Sequence, residues 1–175
     1  MRKLDYGLFK TEFGWCSLLC SHKNQIAAFT FGQQNREKAF TRLVDFAESH
    51  EAEIDASVPD EHPFIEKVQR YVRGERETFA GTRVELDHLT EFQRRVMKVV
   101  RRIGYGKTMS YGDVADKAGA PRAARAVGSV MRKNLVPLVI PCHRVVASSG
   151  IGGYSAADGV SMKQRLLEME SHNAS

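Results

Sequence analysis

The sequence PCHRV, at Pro141–Val145, places the thiol of Cys142 directly beside the imidazole of His143. It follows the apolar run Leu138–Ile140, which is typical of a buried segment. A buried cysteine alone usually contributes only to packing, because a free cysteine behaves as a small hydrophobic residue. A cysteine that adjoins a histidine among basic residues is instead a candidate nucleophile. The rest of the C-terminal half must therefore indicate which electrophile it attacks.

Positive charge is concentrated in the forty residues before this segment. The stretch 94–133 contains eleven lysines and arginines against only two acidic residues, a net charge of +9. The whole chain carries +5, so the remainder sums to −4. Such an asymmetry is expected of a half that binds a polyanion and a neutral-to-acidic companion half. Helices with solvated basic faces would give the same composition.

The bulk composition indicates a soluble globular protein. A chain of 175 residues has room for one sizeable domain or two small ones. No apolar stretch approaches the length of a membrane span, and the charged N-terminus lacks the apolar region of a signal peptide. We therefore expect a cytoplasmic protein, associated with the nucleoid in a prokaryote, whose three cysteines remain thiols.

The first half has the pattern of an α/β domain. Two β-rich runs joined by a polar turn predict a hairpin, apolar residues at helical spacing predict two helices, and a third run could add a strand. These elements are the hairpin 15–31, the helices 35–50 and 61–74, and the strand 79–86. Residues 86–91 resemble a hinge, so we predict domains at 1–86 and 87–175.

The second half is predominantly helical. Thr90 is a candidate N-cap for an amphipathic helix that ends near Gly104, and Ser110 a candidate N-cap for a short helix, 111–118. A glycine-containing turn separates this helix from a third, basic one at about 122–132. Two short helices joined by a tight turn are typical of a helix-turn-helix motif. Any small helical hairpin can mimic this pattern, but the surrounding positive charge favours DNA binding.

Motifs in this half resemble the methylated-DNA–protein-cysteine methyltransferase family (6-O-alkylguanine-DNA alkyltransferases). The resemblance spans roughly residues 62–172, is strongest from Phe92 onward, and rests on Arg125–Gly128, Asn134, Pro137, Pro141–Val146, Gly152–Tyr154, Lys163, Leu166–Leu167 and Glu170. It implies direct-reversal DNA repair. The alkyl group of 6-O-methylguanine, and of 4-O-methylthymine, passes irreversibly to Cys142 in a single, stoichiometric turnover without a cofactor. It also implies a ribonuclease-H-like N-terminal domain with a small antiparallel sheet, and a winged helix-turn-helix in the C-terminal domain.

The resemblance assigns catalytic roles that the chemistry also requires. Displacement at carbon needs an ionised sulfur, and a free thiol is only slightly ionised at neutral pH. Neighbouring residues of an extended segment point to opposite sides, so a water bridging Cys142 and His143 is expected rather than a direct bond. Glu170 would orient and stabilise the imidazole, as the third member of a triad does. A solvated helix glutamate is the alternative for Glu170.

The flipped guanine would be held by the residues around this thiol. By resemblance, Tyr111 donates toward the ring N3, the Ser155 amide toward the alkylated oxygen, and the Cys142 and Val145 carbonyls accept from the exocyclic amine. Pro137 and Tyr154 would sandwich the ring. Asn134 would act as the hinge between the recognition helix and the cysteine segment, although it could also be a plain helix C-cap.

A base in a duplex must leave the stack to reach a buried thiol. Arg125 resembles the family's finger, which fills the space that the flipped nucleotide leaves. Small neighbours would let the helix approach the minor groove, and nearby cations would contact phosphates. The set of predicted DNA-binding residues is Arg125, Arg122, Ala123, Ala124, Ala126, Arg132, Lys133 and Ser110.

Two departures from the family pattern stand out. Leu135 follows Asn134 where many relatives have proline, and the segment Ser155–Met162 is about two residues longer than in some relatives, so the size of the accepted adduct is open. Some relatives hold zinc in the N-terminal domain. Here Cys16 and Cys20 would lie roughly 13 Å apart along a strand, too far for one ion to bridge, so no metal site with His22 is predicted.

Three alternatives explain parts of the pattern. A helix-turn-helix regulator accounts for the basic half but not for Cys142, His143 and Glu170. A thiol hydrolase accounts for the Cys-His pair but not for the basic helices. A non-catalytic alkylation-damage sensor of the same fold accounts for everything except the cysteine. We therefore expect an active transferase that binds double-stranded DNA containing alkylated bases, as a monomer without a membrane or an obligate protein partner.

Overall fold

The computed structural model describes residues 1–157 and 159–174, and the chain divides into two compact units, Met1–Glu85 and Leu86–Ser175. Among the described residues, no helix combines the length and the apolar character needed to cross a bilayer. The loop predicted to limit the adduct size contains Asp158, which lies outside the described residues.

The N-terminal unit is built on a four-stranded sheet. Its strands are β1 (Arg2–Thr11), β2 (Gly14–Cys20), β3 (Ile26–Gln33) and β4 (Ala52–Ser57), in the order β3-β2-β1-β4. The predicted hairpin is confirmed as the antiparallel pair β2–β3. The prediction of a purely antiparallel sheet is wrong, because β4 pairs with β1 in parallel. The helix between β3 and β4 carries the chain back across the sheet, and such a crossover delivers a strand in the parallel sense.

Two helices cover this sheet as predicted. Helix α1 (Arg36–Ser49) begins at Asn35, whose side chain accepts from the Lys38 amide, and α2 (Pro63–Val72) begins with proline in its first turn. The buried face of α1 packs on the sheet in a cluster formed by Leu4, Leu19, Ala27, Ala28, Leu43, Ala47 and Ala52.

The strand predicted at 79–86 is wrong. Only Val84 pairs with the sheet, through a single bridge to Ile26. Phe79 and Gly81 adopt φ angles of 53° and 77°, so the backbone turns twice where a strand would remain extended. Phe79 is nevertheless buried, and its ring packs against Phe64 and Tyr71 of α2.

In its described residues, 86–157 and 159–174, the C-terminal unit has four helices and two very short strands. In chain order these are α3 (Glu91–Arg101), β5 (Met109–Ser110), α4 (Tyr111–Lys117), α5 (Ala124–Arg132), a 3₁₀ turn at Cys142–Arg144, β6 (Val145–Val146) and α6 (Val160–Asn173). Both predicted N-caps are confirmed. Thr90 and Gln93 form a reciprocal capping box, and the Ser110 hydroxyl accepts from the Asp113 amide at 3.0 Å. Helix α5 begins at Ala124 rather than at 122, because Arg122 adopts φ 71° and closes the preceding turn.

Helix α6 turns charged side chains toward the interior. Its buried residues are Met162, Lys163, Leu166 and Glu170, which follow helical spacing on one face. The turn after α3 approaches the end of this helix closely: a Cβ on Gly106, at φ 73°, would lie 2.5 Å from the Cβ of Ala174. Only glycine fits there, and the contact places the amide of Gly106 within reach of Glu170.

Candidate active site

A cleft of about 980 Å³ opens in the C-terminal unit. Its walls come from α4, α5, the 3₁₀ turn and the segment 147–155, and they include Cys142, Arg125 and Arg132. The predicted nucleophile and the basic helix α5 therefore share one cavity. The volume lies at the upper end of the range for ligand pockets, about 300–1,000 Å³.

Cys142 is buried on the wall of this cleft, with 6% of its surface exposed. Its amide donates to the Ile140 carbonyl at 2.8 Å, at the start of the 3₁₀ turn, so the expectation of an extended segment at Cys142 and His143 is wrong. Burial raises the pKa of the thiol, while the Asn134 side chain, the charge of Lys163 and the Tyr154 hydroxyl act in the opposite direction. The sulfur is therefore a thiol at rest, and it needs a base to become a nucleophile.

A buried ionic network adjoins the thiol. His143 Nε2 lies 2.8 Å from Glu170 Oε1, and both side chains are fully buried. The guanidinium of Arg144 binds both carboxylate oxygens, with Nε at 2.9 Å from Oε2 and Nη2 at 2.8 Å from Oε1. The Gly106 amide adds a further donor at 3.1 Å. Burial alone would raise the pKa of Glu170, but the hydrogen bonds from His143 and Arg144 outweigh it and lower that pKa to about 2.

Asn134 connects α5 to the cysteine segment. Its Nδ2 donates to the Ile140 carbonyl at 2.8 Å, and its Oδ1 accepts from the Val136 amide at 3.0 Å. The side chain thus spans the turn between the end of α5 and the residues that lead into Cys142. The role of Asn134 as a hinge stays a prediction.

Tyr111 begins α4 and lines the cleft. Burial raises the pKa of its phenol, with a smaller contribution from Cys142. Gly152 packs closely against the ring: at φ 75°, a Cβ on this glycine would lie 3.1 Å from Tyr111 Cε2. The backbone of Gly152 therefore lies close to the ring, and a larger residue at this position would press on it.

Comparison with known proteins decides the family. The profile described as 6-O-methylguanine DNA methyltransferase, DNA binding domain, matches residues 91–172. A methylated-DNA–protein-cysteine methyltransferase of Metallosphaera sedula is 38% identical over 170 residues, covering 95% of this chain and 93% of that protein. The chain belongs to the methylated-DNA–protein-cysteine methyltransferase family. Members of this family carry out direct-reversal repair by moving a methyl group from DNA to a cysteine of the protein.

Other methyltransferases of the family agree in sequence and in fold. The Mycobacterium leprae protein is 43% identical over 120 residues, which is 66% of this chain and 70% of that protein. The crystal structure of Mycobacterium tuberculosis O6-methylguanine methyltransferase superposes with a TM-score of 0.77 at 31% identity, covering 98% of this chain and 95% of that one. The Mycobacterium tuberculosis OGT in complex with DNA gives 0.75 at 30% identity, over 97% and 94% of the two chains. A small mixed sheet with helices, followed by a mainly helical unit, is thus shared with alkyltransferase structures.

The residues predicted to hold the base are only partly gathered at the methyltransferase cleft. Tyr111, Tyr154 and Ser155 line it, whereas Pro137 and Val145 are buried and do not belong to its described wall. The Val145 carbonyl, predicted to accept from guanine, accepts from Lys163 Nζ at 2.6 Å.

The predicted DNA-binding residues lie on and around α5. Ser110, Ala124, Arg125 and Arg132 line the cleft. Arg122, Ala126 and Lys133 are exposed, and Ala123 is half-buried. The cations of this methyltransferase are therefore arranged from the mouth of the cleft along the surface of the helix.

Two charged residues were missed as site residues by the sequence analysis. Arg144 binds Glu170, and Lys163 is fully buried, with its ammonium donating to the carbonyls of Val145 and Gly153. Burial lowers the pKa of Lys163 to about 8. The sequence did contain a signal for the burial of Lys163. Lys163, Leu166 and Glu170 recur at helical spacing, so a helix that buries Leu166 also turns the two charged residues toward the interior.

The two cysteines of the N-terminal unit are buried thiols with raised pKa values. Burial raises the pKa of Cys16 to about 12 and that of Cys20 to about 11, so neither is a reactive thiol. His22 lies with Asp5, at 3.0 Å, and with Asp55, at 3.9 Å. The ammonium of Lys3 also faces Asp55, at 3.7 Å, so the four side chains form a mixed cluster at the surface.

Proposed function

We propose that Cys142 is the methyl acceptor of this repair transferase, and that its substrates are 6-O-methylguanine and 4-O-methylthymine in double-stranded DNA. The observation that carries the proposal is the position of Cys142, in one cleft with the basic helix α5 and next to the His143–Glu170 pair. A regulator or a sensor would not need an acid–base pair directly beside a thiol.

The reaction is a displacement at the methyl carbon. The thiol proton passes through a bridging water to His143, a sulfur–carbon bond forms, and the carbon–oxygen bond to the base breaks with its electron pair remaining on the oxygen. Glu170 stabilises the imidazolium that results. The product is a thioether, which has no proton to lose and no route back to a thiol. The protein therefore acts once, in stoichiometric and irreversible fashion, and needs no cofactor.

The leaving base requires a proton donor. Tyr111 lines the cleft at the start of α4, and its raised pKa keeps the phenol protonated and able to donate toward the ring N3. We assign the Ser155 amide to the oxygen that loses the methyl group, and the Cys142 and Val145 carbonyls to the exocyclic amine. Tyr154 forms one face of the base site, and Pro137 supports the other from its buried position.

DNA contact is assigned to α5 and its flanks. Arg125 is exposed at the cleft, where it can enter the duplex in place of the flipped nucleotide. Ala123, Ala124 and Ala126 allow a close approach to the minor groove. Arg122, Arg132, Lys133 and Ser110 are assigned to the phosphates.

The finer architecture belongs to the same proposal. We assign residues 87–175 to a winged helix-turn-helix domain, supported by α4, α5 and the parallel pair β5–β6. Residues 1–86 are assigned to a ribonuclease-H-like domain, supported by the mixed sheet and α1. The protein would act as a monomer in the cytoplasm or nucleoid.

Intact-protein mass spectrometry after mixing with one equivalent of a methylguanine duplex tests the proposal. We expect the mass to rise by one methylene group, on the peptide that contains Cys142, with no turnover beyond one equivalent. Cys142→Ala should abolish the gain yet retain DNA binding, whereas the control Cys16→Ala should react like the wild type. A protein that retards the duplex but stays unmodified would refute the transferase and favour a sensor.

A further inference from the structure

We infer that Arg144 is a positioning residue for methyl transfer: its guanidinium holds Glu170 as a carboxylate and thereby fixes which nitrogen of His143 receives the thiol proton. The inference rests on the proposed function of Cys142 and His143. Arg144 is not among the described residues that line the cleft. Its effect on the reaction is therefore transmitted through Glu170.

The guanidinium is fixed on three sides. Nε and Nη2 bind the Glu170 carboxylate, and Nη1 donates to the Ile103 carbonyl at 2.7 Å. Its central carbon lies 5.7 Å from the centre of the Tyr105 ring, within the range of a cation–π contact. The side chain is buried, so it cannot swing away to water. Such a group presents the same donors to Glu170 throughout the reaction.

These donors leave Glu170 no place for a proton of its own. An arginine has no acceptor and does not lose its proton in proteins, and the Gly106 amide can only donate. Toward Arg144 and Gly106, a protonated Glu170 would direct its hydrogen at donors only. The lowered pKa of Glu170, about 2, expresses the same preference for the ionised form.

The state of Glu170 determines the tautomer of His143. A carboxylate only accepts hydrogen bonds, so Nε2 of His143 must carry the hydrogen that points to Oε1. Nδ1 then carries the lone pair and is the atom that can take the proton from Cys142. If Glu170 were protonated, the hydrogen bond would reverse and Nδ1 would lose its lone pair.

Arg144 also prevents the histidine from being protonated too early. The charged groups facing His143 are Glu170 and Lys163 from α6, with Arg144 and the thiol of Cys142 in its own turn. Burial is the main cause that lowers the pKa of His143; Glu170 raises it, and Arg144 and Lys163 lower it further. Removing the charge of Arg144 would let Glu170 act on His143 alone and raise its pKa. Since only neutral His143 is a base, the acid limb of the rate profile would move to higher pH.

The test compares Arg144→Met, which removes the charge, with Arg144→Lys, which retains it. The readouts are the single-turnover rate of methyl transfer at about pH 5 to 9, and ¹⁵N NMR of the His143 ring in unmodified protein. Arg144→Met should move the acid limb upward by about one pH unit or more. Its rate at neutral pH should fall by roughly 3- to 10-fold, the loss that a shift of about one unit allows, and recover in alkali. Arg144→Lys should leave the limb in place, with a smaller loss of rate at every pH.

The control is Arg70→Met, which breaks the Arg70–Glu77 ion pair of the N-terminal unit at 2.9 Å and should leave the profile unchanged. An Arg144→Met protein with the wild-type tautomer and acid limb, or with a loss uniform across pH, would overturn the inference. If that variant does not fold, Arg144→Gln carries the same prediction. A hydrogen on Nδ1 of wild-type His143, seen by NMR, would by itself overturn the inference. The NMR measurement needs no DNA, so a wild type that fails to accept methyl would refute the proposed function separately.

Discussion

Replacing Glu170 by glutamine should destabilise the C-terminal unit severely. The carboxylate is fully buried and receives Arg144 on both oxygens, so Glu170→Gln leaves a buried guanidinium without its counter-charge. Removing one partner of a buried ion pair typically costs about 3–5 kcal/mol. The amide group of the glutamine would in addition turn a donor toward one of the surrounding donors.

The pH dependence gives an independent measure of the same interaction. The pKa of Glu170 is lowered from 4.5 to about 2 in the folded protein. A lowered carboxylate pKa stabilises the folded state fully above the unfolded value, and this contribution is lost as the pH falls through the folded value. A shift of this size corresponds to about 3 kcal/mol. The gap between wild type and Glu170→Gln should therefore close by that amount as the pH falls from 4.5 toward 2.

The single tryptophan, Trp15, lies in the N-terminal unit, so its fluorescence would not report on the unit that contains Glu170. Both effects are therefore measured by urea unfolding followed by the helical circular dichroism signal. The control is Glu91→Gln, which removes an exposed ion pair with Arg95 within α3 and should cost about 0.3–0.5 kcal/mol. A loss below about 1 kcal/mol for Glu170→Gln would refute the assignment of a buried ion pair. So would a gap between wild type and variant that stays constant with pH.

Two further predictions concern the cleft. Arg125→Ala should slow repair of duplex DNA far more than reaction with a free benzylguanine analogue, because only the duplex requires base flipping; equal slowing in single-turnover assays would contradict that role. Gly152→Ala should slow transfer by about 100-fold, since its Cβ would lie 3.1 Å from Tyr111 Cε2 and displace the ring. Gly81→Ala is its control, with φ 77° and no neighbour within 4 Å, so similar rates for both variants would show that Gly152 does not position Tyr111.

The strands of the N-terminal unit differ in how well a local sequence pattern predicts them. β2 and β3 were predicted because their apolar residues lie between clear turn residues. β4, with the sequence AEIDAS, carries two acids and two alanines and has low strand propensity. It forms because α1 delivers it beside β1, and that long-range pairing leaves no local pattern.

The sequence predicts the reacting residues of the site, but not the buried arginine that binds Glu170. Cys142, His143 and Glu170 were identified through the motif spacing, and the structure brings them together. Arg144 stands inside the same motif, yet its role depends on Glu170, 26 residues further on, and on the Ile103 carbonyl, 41 residues earlier. An arginine in a basic region is ordinarily assigned to solvent or phosphate. Only its burial distinguishes it.

Lys163 and Glu170 both lie on α6, the last helix along the described chain. The charge of Lys163 favours ionisation of Cys142, and Glu170 orients His143 beside it. A nascent chain that has left the ribosome only as far as β6 thus exposes Cys142 and His143 without either of them. Until α6 docks, His143 has no Glu170 to orient its ring toward Cys142. The acid–base pair beside Cys142 is therefore complete only when the last described helix has been synthesised and has packed against the 3₁₀ turn.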